Sequence, residues 1–255
     1  MIPERTGKID TTNITDLLDE LEVVIGEDIY MGDFDVMGWN LAAKIRDRNE
    51  EKYRTRGAVF RPNFERGILL HSLIVKKNLT NILEIGFGRG YSVACTSRAI
   101  YEKGLIGQVV SVDPAFSETS LANIKEVLHP EIEKSVAISY ETMTSDSYFA
   151  QLDELNPSKK FDLIFIDGDH RYEQVKKDFE NAVKRIDRGY IVLDDYHMPT
   201  KLETDIEVSN FVDTLPDTYK KKLVYTDRIL FGDDRRDGNE LDYGMVIVSI
   251  GDIDE

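Results

Sequence analysis

The chain has 255 residues, 41% of them hydrophobic, enough for one substantial core, and its formal net charge is -16. A field of that sign repels phosphate backbones and anionic membrane surfaces, which argues against nucleic-acid binding and for small-molecule or cation chemistry. The single cysteine, Cys95, excludes an internal disulfide and a multi-cysteine zinc site and suits a reducing compartment.

Taken in chain order, MIPERTGKIDTT lacks an apolar run of signal-peptide length, and no later segment approaches a membrane span, so a cytoplasmic protein is expected. Residues 1 to about 80 read as mostly helical. Thr15 or Asp16 is positioned to cap a helix through LLDELEVVIG that Gly26 ends, and after a break through Gly32 and Gly38 a second helical stretch starts at Trp39. Residues 1–66 are expected to form a helical extension or lid, and residues 67–255 the main domain. Between Lys44 and Arg66 the local charge turns basic, with Lys44, Arg46, Arg48, Lys52, Arg54, Arg56, Arg61 and Arg66. Two readings stand for that segment: a lid over an anionic acceptor, with Trp39 and Tyr53 as stacking faces, or a helix whose charges pair with the acidic body.

From Asn81 the pattern changes. NILEIG, QVVSVD, SVAISY, FDLIFID and YIVLDD are short strands alternating with amphipathic stretches, the signature of a parallel sheet covered by helices. Tyr172, Val175, Phe179, Ala182, Val183 and Ile186 recur at helical spacing and mark a crossover helix. KKLVYTDRILFG and YGMVIVSI have no helical pattern between them and are expected to pair antiparallel. The fold class is α/β: a Rossmann-like, mostly parallel sheet with an antiparallel last strand and helices on both faces.

Two segments carry chemistry. In ILEIGFGRGYS, residues 82–92, Gly86, Gly88 and Gly90 join a strand to a helix, where backbone can approach a ligand and helix N-terminal amides meet negative charge. Glu84 is suited to a cationic ligand group, and Asp113, ending the next strand, to ribose hydroxyls. The Gly-x-Gly-x-Gly spacing leaves Tyr91 where a dinucleotide fingerprint needs its third glycine, which disfavours NAD. The second segment is FDLIFIDGDHRYEQVKKDF, together with YIVLDD. Asp167, Asp194 and Asp195 stand at the ends of neighbouring parallel strands, where converging carboxylates repel unless a hard dication such as Mg²⁺ or Mn²⁺ joins them. His170, at the start of the following helix, is the candidate general base, and His197 a second, weaker one. Acidic groups at strand ends also cap loops, a reading open to Asp195 and Asp169, and Asp178 reads as a solvated or loop-anchoring carboxylate.

The glycine segment resembles the first motif of class I S-adenosylmethionine-dependent methyltransferases, and residues from about Gly67 to Ile250 resemble their seven-stranded sheet with its reversed last strand. The resemblance implies S-adenosyl-L-methionine as cofactor, bound by the loop of Gly86, Gly88, Gly90 and Tyr91, with Glu84 on its amino group, Ser92 on its carboxylate and Asp113 on its ribose. TSDSYFAQL resembles the adenine-binding turn of catechol O-methyltransferase-like enzymes, which implicates Ser145 and Asp146, although Asp146 replaces the glutamine common there; the same residues also read as a helix N-cap. IDGDHRYEQV with VLDDY resembles the metal-dependent macrocin and sugar O-methyltransferases. That implies Mg²⁺ (or Mn²⁺) on Asp167, Asp194 and Asp195, binding two neighbouring hydroxyls of the acceptor, with Asp167 and His170 as catalytic groups. The expected activity is O-methylation of a vicinal diol on a sugar, one that is anionic if the basic segment is a lid. The relatives also imply assembly through N-terminal segments. A nicotinamide-dependent oxidoreductase and an inactive cofactor-binding partner are the alternatives.

Overall fold

The computed structural model describes residues 9–13, 16–17, 20–21, 64–88, 90–125, 128, 130–197, 207–225 and 243–252. Its centre is one sheet. In chain order the elements are β1 (Asp10–Asn13), α1 (Phe64–Lys77), β2 (Asn81–Ile85), α2 (Tyr91–Glu102), β3 (Gly107–Val112), α3 (Glu118–Lys125), β4 (Val136–Glu141), α4 (Ser145–Leu155), β5 (Leu163–Ile166), α5 (Tyr172–Lys184), β6 (Gly189–His197), α6 (Val208–Val212), β7 (Lys220–Tyr225) and β8 (Tyr243–Ile250). The strand order is β1-β7-β8-β6-β5-β2-β3-β4, and β8 alone runs antiparallel to its neighbours.

All seven expected strands are present, and β7 and β8 pair antiparallel as expected. The N-terminal region, read as mostly helical, also holds a strand. Residues 16, 17 and 20 are helical, but Asp10–Asn13 adds an eighth strand parallel to β7, from Asp10 opposite Lys222 to Asn13 opposite Tyr225. Its DTTN sequence has no apolar alternation, so nothing local announces a strand; an open sheet edge supplies the hydrogen bonds. Leu17 follows into the core, and Lys222 pairs with Glu20 at 2.6 Å. The second helical stretch from Trp39, with Tyr53 and the basic segment up to Arg61, lies outside the described residues.

Helices cover both sheet faces because each strand of the centre is apolar on both sides. One face packs α1 and α2 through Leu69, Leu70, Ile74, Val93, Ala94 and Ile100. The other packs α4, α5 and α6 through Phe149, Leu152, Phe179, Ala182 and Phe211. On α5 the periodicity works as read: Val175, Phe179 and Ala182 are buried while Glu173, Lys176 and Lys177 face outward. At the opposite end of the sheet from the glycine loop, Asp162 Oδ2 accepts from the amides of Thr80 (2.8 Å) and Asn81 (2.9 Å), tying the start of β5 to that of β2. Among the described residues no helix is long and apolar enough to cross a membrane.

The seat of α1 on α2 is set by Gly67. A methyl group there would lie 2.5 Å from the Tyr91 hydroxyl and 2.7 Å from Cys95 Sγ. Both neighbours are buried and have little room to yield. Gly67→Ala is expected to cost about 1–3 kcal/mol by overpacking. Thermal unfolding should show a Tm lower by roughly 2–10 °C, and an unchanged Tm would mean that α1 does not seat here.

Candidate active site

The parallel pairing of β2, β3, β5 and β6 ends at Ile85, Val112, Ile166 and Leu193. The residues that follow, Gly86, Asp113, Asp167 and Asp194, are thereby gathered at one sheet edge. Chain order reverses there, since β2 has β3 on one side and β5 on the other, and such a switch point opens a crevice for ligands.

The glycine loop is built by close approach and by one carboxylate. Gly86, at φ 95°, donates to the Val112 carbonyl at 2.9 Å, and a Cβ there would sit 2.1 Å from the Asp167 carbonyl oxygen. Gly90, at φ 81°, caps α2 and leaves room for the Phe87 ring, which packs against Phe116 and Tyr140. Asp113 holds the turn itself: its Oδ2 accepts from the amides of Phe87 (2.9 Å) and Gly88 (3.4 Å), and its Oδ1 from that of Ala115 (2.7 Å).

Behind the loop, Glu84 is fully buried, and both its oxygens accept serine hydroxyls, one from Ser92 and one from Ser111. Burial pushes its pKa to about 8, against the two hydroxyls and Arg66, which pull it down, and with the Asp167 charge adding to the rise. Ser92 is thus committed to Glu84. Tyr91 turns inward to hydrogen-bond Cys95, whose thiol burial pushes up to about 12, so its ring belongs to the α1–α2 core. Ser111 was missed in the sequence, though a serine inside the apolar run QVVSV, in register with Glu84, was its signal.

The acidic residues divide in a way that strand ends do not reveal. Asp167, His170 and Asp195 converge: one ligand atom from each lies within 4.8 Å of the others, and His170 Nε2 is 3.5 Å from Asp195 Oδ2. Asp194 is buried and pairs instead with Arg66, which also reaches Asp167 Oδ2 at 2.8 Å. Adjacent strand residues point to opposite sides, so Asp194 and Asp195 serve different partners; the bulge in β6 between Leu193 and Tyr196, with Asp195 at φ 54°, marks where Asp195 leaves the regular strand. Burial raises Asp167 to about 6; Arg66 opposes the rise and the Asp195 charge adds to it. Asp167 and Asp195 offer the carboxylate oxygens that Mg²⁺ or Mn²⁺ takes, so these two residues fit the implied metal, with the His170 imidazole beside them. Arg66, which the sequence offered only as one of a basic run, is the positive charge these carboxylates already face.

Around this centre the remaining candidates find structural partners. Thr144 caps α4 by accepting from the Ser147 amide at 3.2 Å, Ser145 Oγ accepts from Gln174 at 3.2 Å, and Asp146 pairs with Lys177. Asp178 is buried, not solvated: Gln174 donates to it at 3.0 Å, and burial raises it to about 6. Asp169 accepts the Arg171 amide at 3.1 Å and pairs with the Arg171 side chain, a loop-capping role. Glu207 accepts the Tyr172 amide at 2.8 Å and donates its own amide to the His170 carbonyl at 2.8 Å, fixing the backbone beside His170. The His197 side chain and residues 198–206 lie outside the described residues.

Glu84 makes stability pH-dependent with a definite sign. Its pKa in the fold is about 8 against an ordinary 4.5, so between those values the unfolded state has lost a proton that the folded state keeps. Its stabilisation is full below pH 4.5 and is lost as pH rises through 8. Asp167 and Asp178 act in the same direction up to about 6. Tm of the ligand-free protein should fall from pH 6 to pH 8, and Glu84→Gln should flatten that fall. An equal slope in the variant would show that Glu84 is not the titrating group.

Residues 83–196, from one position before Glu84 to one after Asp195, match the sequence profile of the Methyltransferase domain family. An uncharacterized protein, R132, of Acanthamoeba polyphaga mimivirus is 32% identical over 128 residues, 48% of this chain; the match spans about half, 53%, of that relative's length. Among solved structures, the O-methyltransferase TomG of Streptomyces achromogenes, involved in tomaymycin synthesis and in complex with S-adenosylmethionine, superposes with a TM-score of 0.59 at 18% identity, covering 94% of this chain and 97% of its own. The O-methyltransferase of Bacillus cereus in complex with S-adenosylhomocysteine gives 0.56 at 18%, covering 92% and 96%. Residues 83–196 thus resemble the Methyltransferase domain family, and the chain shares the fold of these O-methyltransferase structures.

Proposed function

We propose that the protein is a cytoplasmic, divalent-cation-dependent O-methyltransferase that uses S-adenosyl-L-methionine to methylate one hydroxyl of a vicinal diol, most simply on a sugar. The observation that carries this reading is the meeting of Asp167, His170 and Asp195 beside the glycine loop. S-adenosylmethionine supplies an electrophilic methyl group on a sulfonium. A divalent cation lowers the pKa of a coordinated hydroxyl by several units and fixes its orientation.

The chain's own residues divide the remaining work. Gly86, Gly88 and Gly90 let backbone approach the cofactor, and Asp113, while accepting three amides, keeps an acceptor site on Oδ1 for a ribose hydroxyl. Glu84 is placed for the cofactor's amino group and Ser92 for its carboxylate, each by exchanging the hydrogen bond it now makes with the other. Ser145 and Asp146 border the adenine at the start of α4. Asp167 and Asp195 hold the cation, with Asp194 adjacent. His170 accepts the proton of the acceptor hydroxyl; its imidazole is 28% exposed, open to the crevice, while Asp195 orients it. Methylation of a diol thus needs no covalent intermediate, only alignment and removal of one proton.

Turnover on a panel of sugar and catechol diols should vanish with EDTA and return on adding Mg²⁺ or Mn²⁺; activity that survives exhaustive chelation removes the cation from the mechanism. His170→Ala should lower kcat by about 10²–10⁴ with the cofactor KM nearly unchanged. A kcat within twofold of the parent would assign the base elsewhere.

A further inference from the structure

We infer that Arg66 is a displaceable resident cation of this site, whose guanidinium competes with the divalent ion for Asp167 and controls whether Asp194 can join the ligand set. The inference rests on the cation reading above and extends it to a residue outside the matched methyltransferase domain, which begins at residue 83.

Three observations carry it. The guanidinium fork spans two carboxylates from adjacent strands, reaching Asp167 through Nη1 at 2.8 Å and Asp194 through Nη2. Asp167 is also one of the three groups whose ligand atoms converge, so the same carboxylate is claimed by the guanidinium and by the cation centre. Arg66 also sits in the first turn of α1, the end of a helix where the backbone dipole disfavours positive charge. Helix formation does not explain a cation there; the carboxylates do. Phe165, whose ring lies 5.5 Å from the guanidinium carbon, gives the side chain a flat bed toward the sheet.

Guanidinium stays protonated at any working pH, so it cannot yield by losing its charge. It yields only by moving. A divalent ion that takes Asp167 draws the carboxylate's charge from Arg66 and loosens it, and a loosened Arg66 frees the buried Asp194 to turn from guanidinium to metal. Because Arg66 belongs to α1, cation entry is coupled to the first turn of the helix that leads out of the N-terminal region. The arrangement lowers the apparent metal affinity by the fraction of molecules in which Asp167 is released, as for any binding-competent minor state.

The test is Mn²⁺ binding by the full chain, followed by calorimetry and by water-proton relaxation. Arg66→Gln should tighten Mn²⁺ at least tenfold, Arg66→Lys, which keeps the charge but loses the fork, by less, and adding Asp194→Ala to Arg66→Gln should reverse most of the gain. Equal or weaker Mn²⁺ binding in Arg66→Gln overturns the inference; if Asp167→Asn still abolishes binding, the cation reading itself stands. No Mn²⁺ binding by either the parent or Arg66→Gln overturns both. Should Arg66→Gln fail to fold, the parent protein decides: saturating Mg²⁺ should shift the Arg66 Nε–H resonance in ¹⁵N spectra, and a resonance that does not move refutes displacement.

Discussion

Negative charge buried at the C-terminal edge of the sheet is the constraint around which this protein is arranged. Glu84, Asp167 and Asp194 all point from the central strands into the layer covered by α1 and α2, where an uncompensated charge is costly. Each is handled differently. Glu84 keeps its proton and takes two hydroxyls, Asp194 takes Arg66, and Asp167 shares Arg66 while facing the crevice. The position of α1 follows from this, because Arg66 meets both aspartates only if the helix lies close on α2, and Gly67, the next residue, permits that approach.

The same economy of polar groups shapes the loop. A strand-to-helix turn with three positive-φ glycines is entropically expensive to hold in one form. Asp113 holds it, by accepting from loop amides, and the packing of Phe87, Phe116 and Tyr140 fixes it from beneath. Gly86, Phe87, Gly88 and Gly90 are thereby tied to the end of β3 and to an aromatic cluster. His170 is treated similarly: Asp195 approaches its ring and Glu207 its backbone, so two elements separated in sequence confine it.

Strong local patterns were legible. Period-two and continuous apolar runs located the strands from Asn81 onward, helical spacing located α5, and the glycine turn announced the end of β2. The identity of the acidic groups at the sheet edge was also legible, because a parallel β-α-β order places successive strand ends side by side whatever the details of packing. Strand β1 was not, since DTTN has no periodic signal and pairs only because β7 presents an edge more than 200 positions away. Asp178 read as a solvated or loop-anchoring carboxylate because α5 is charged along much of its length; in the fold it is buried and meets Ser145 at the start of α4.

Residue types and their order along the chain determined that this is an α/β sheet with a glycine loop and a cluster of carboxylates at its edge, since those features depend on local propensity and on topology. Which carboxylate meets which cation was decided in three dimensions. Asp195 leaves β6 at a one-residue bulge beside His170, and the packing of a distant helix brings Arg66 to Asp194. Neither is encoded locally: side-chain direction across a bulge and the reach of a guanidinium from another layer depend on contacts that exist only after the sheet has formed.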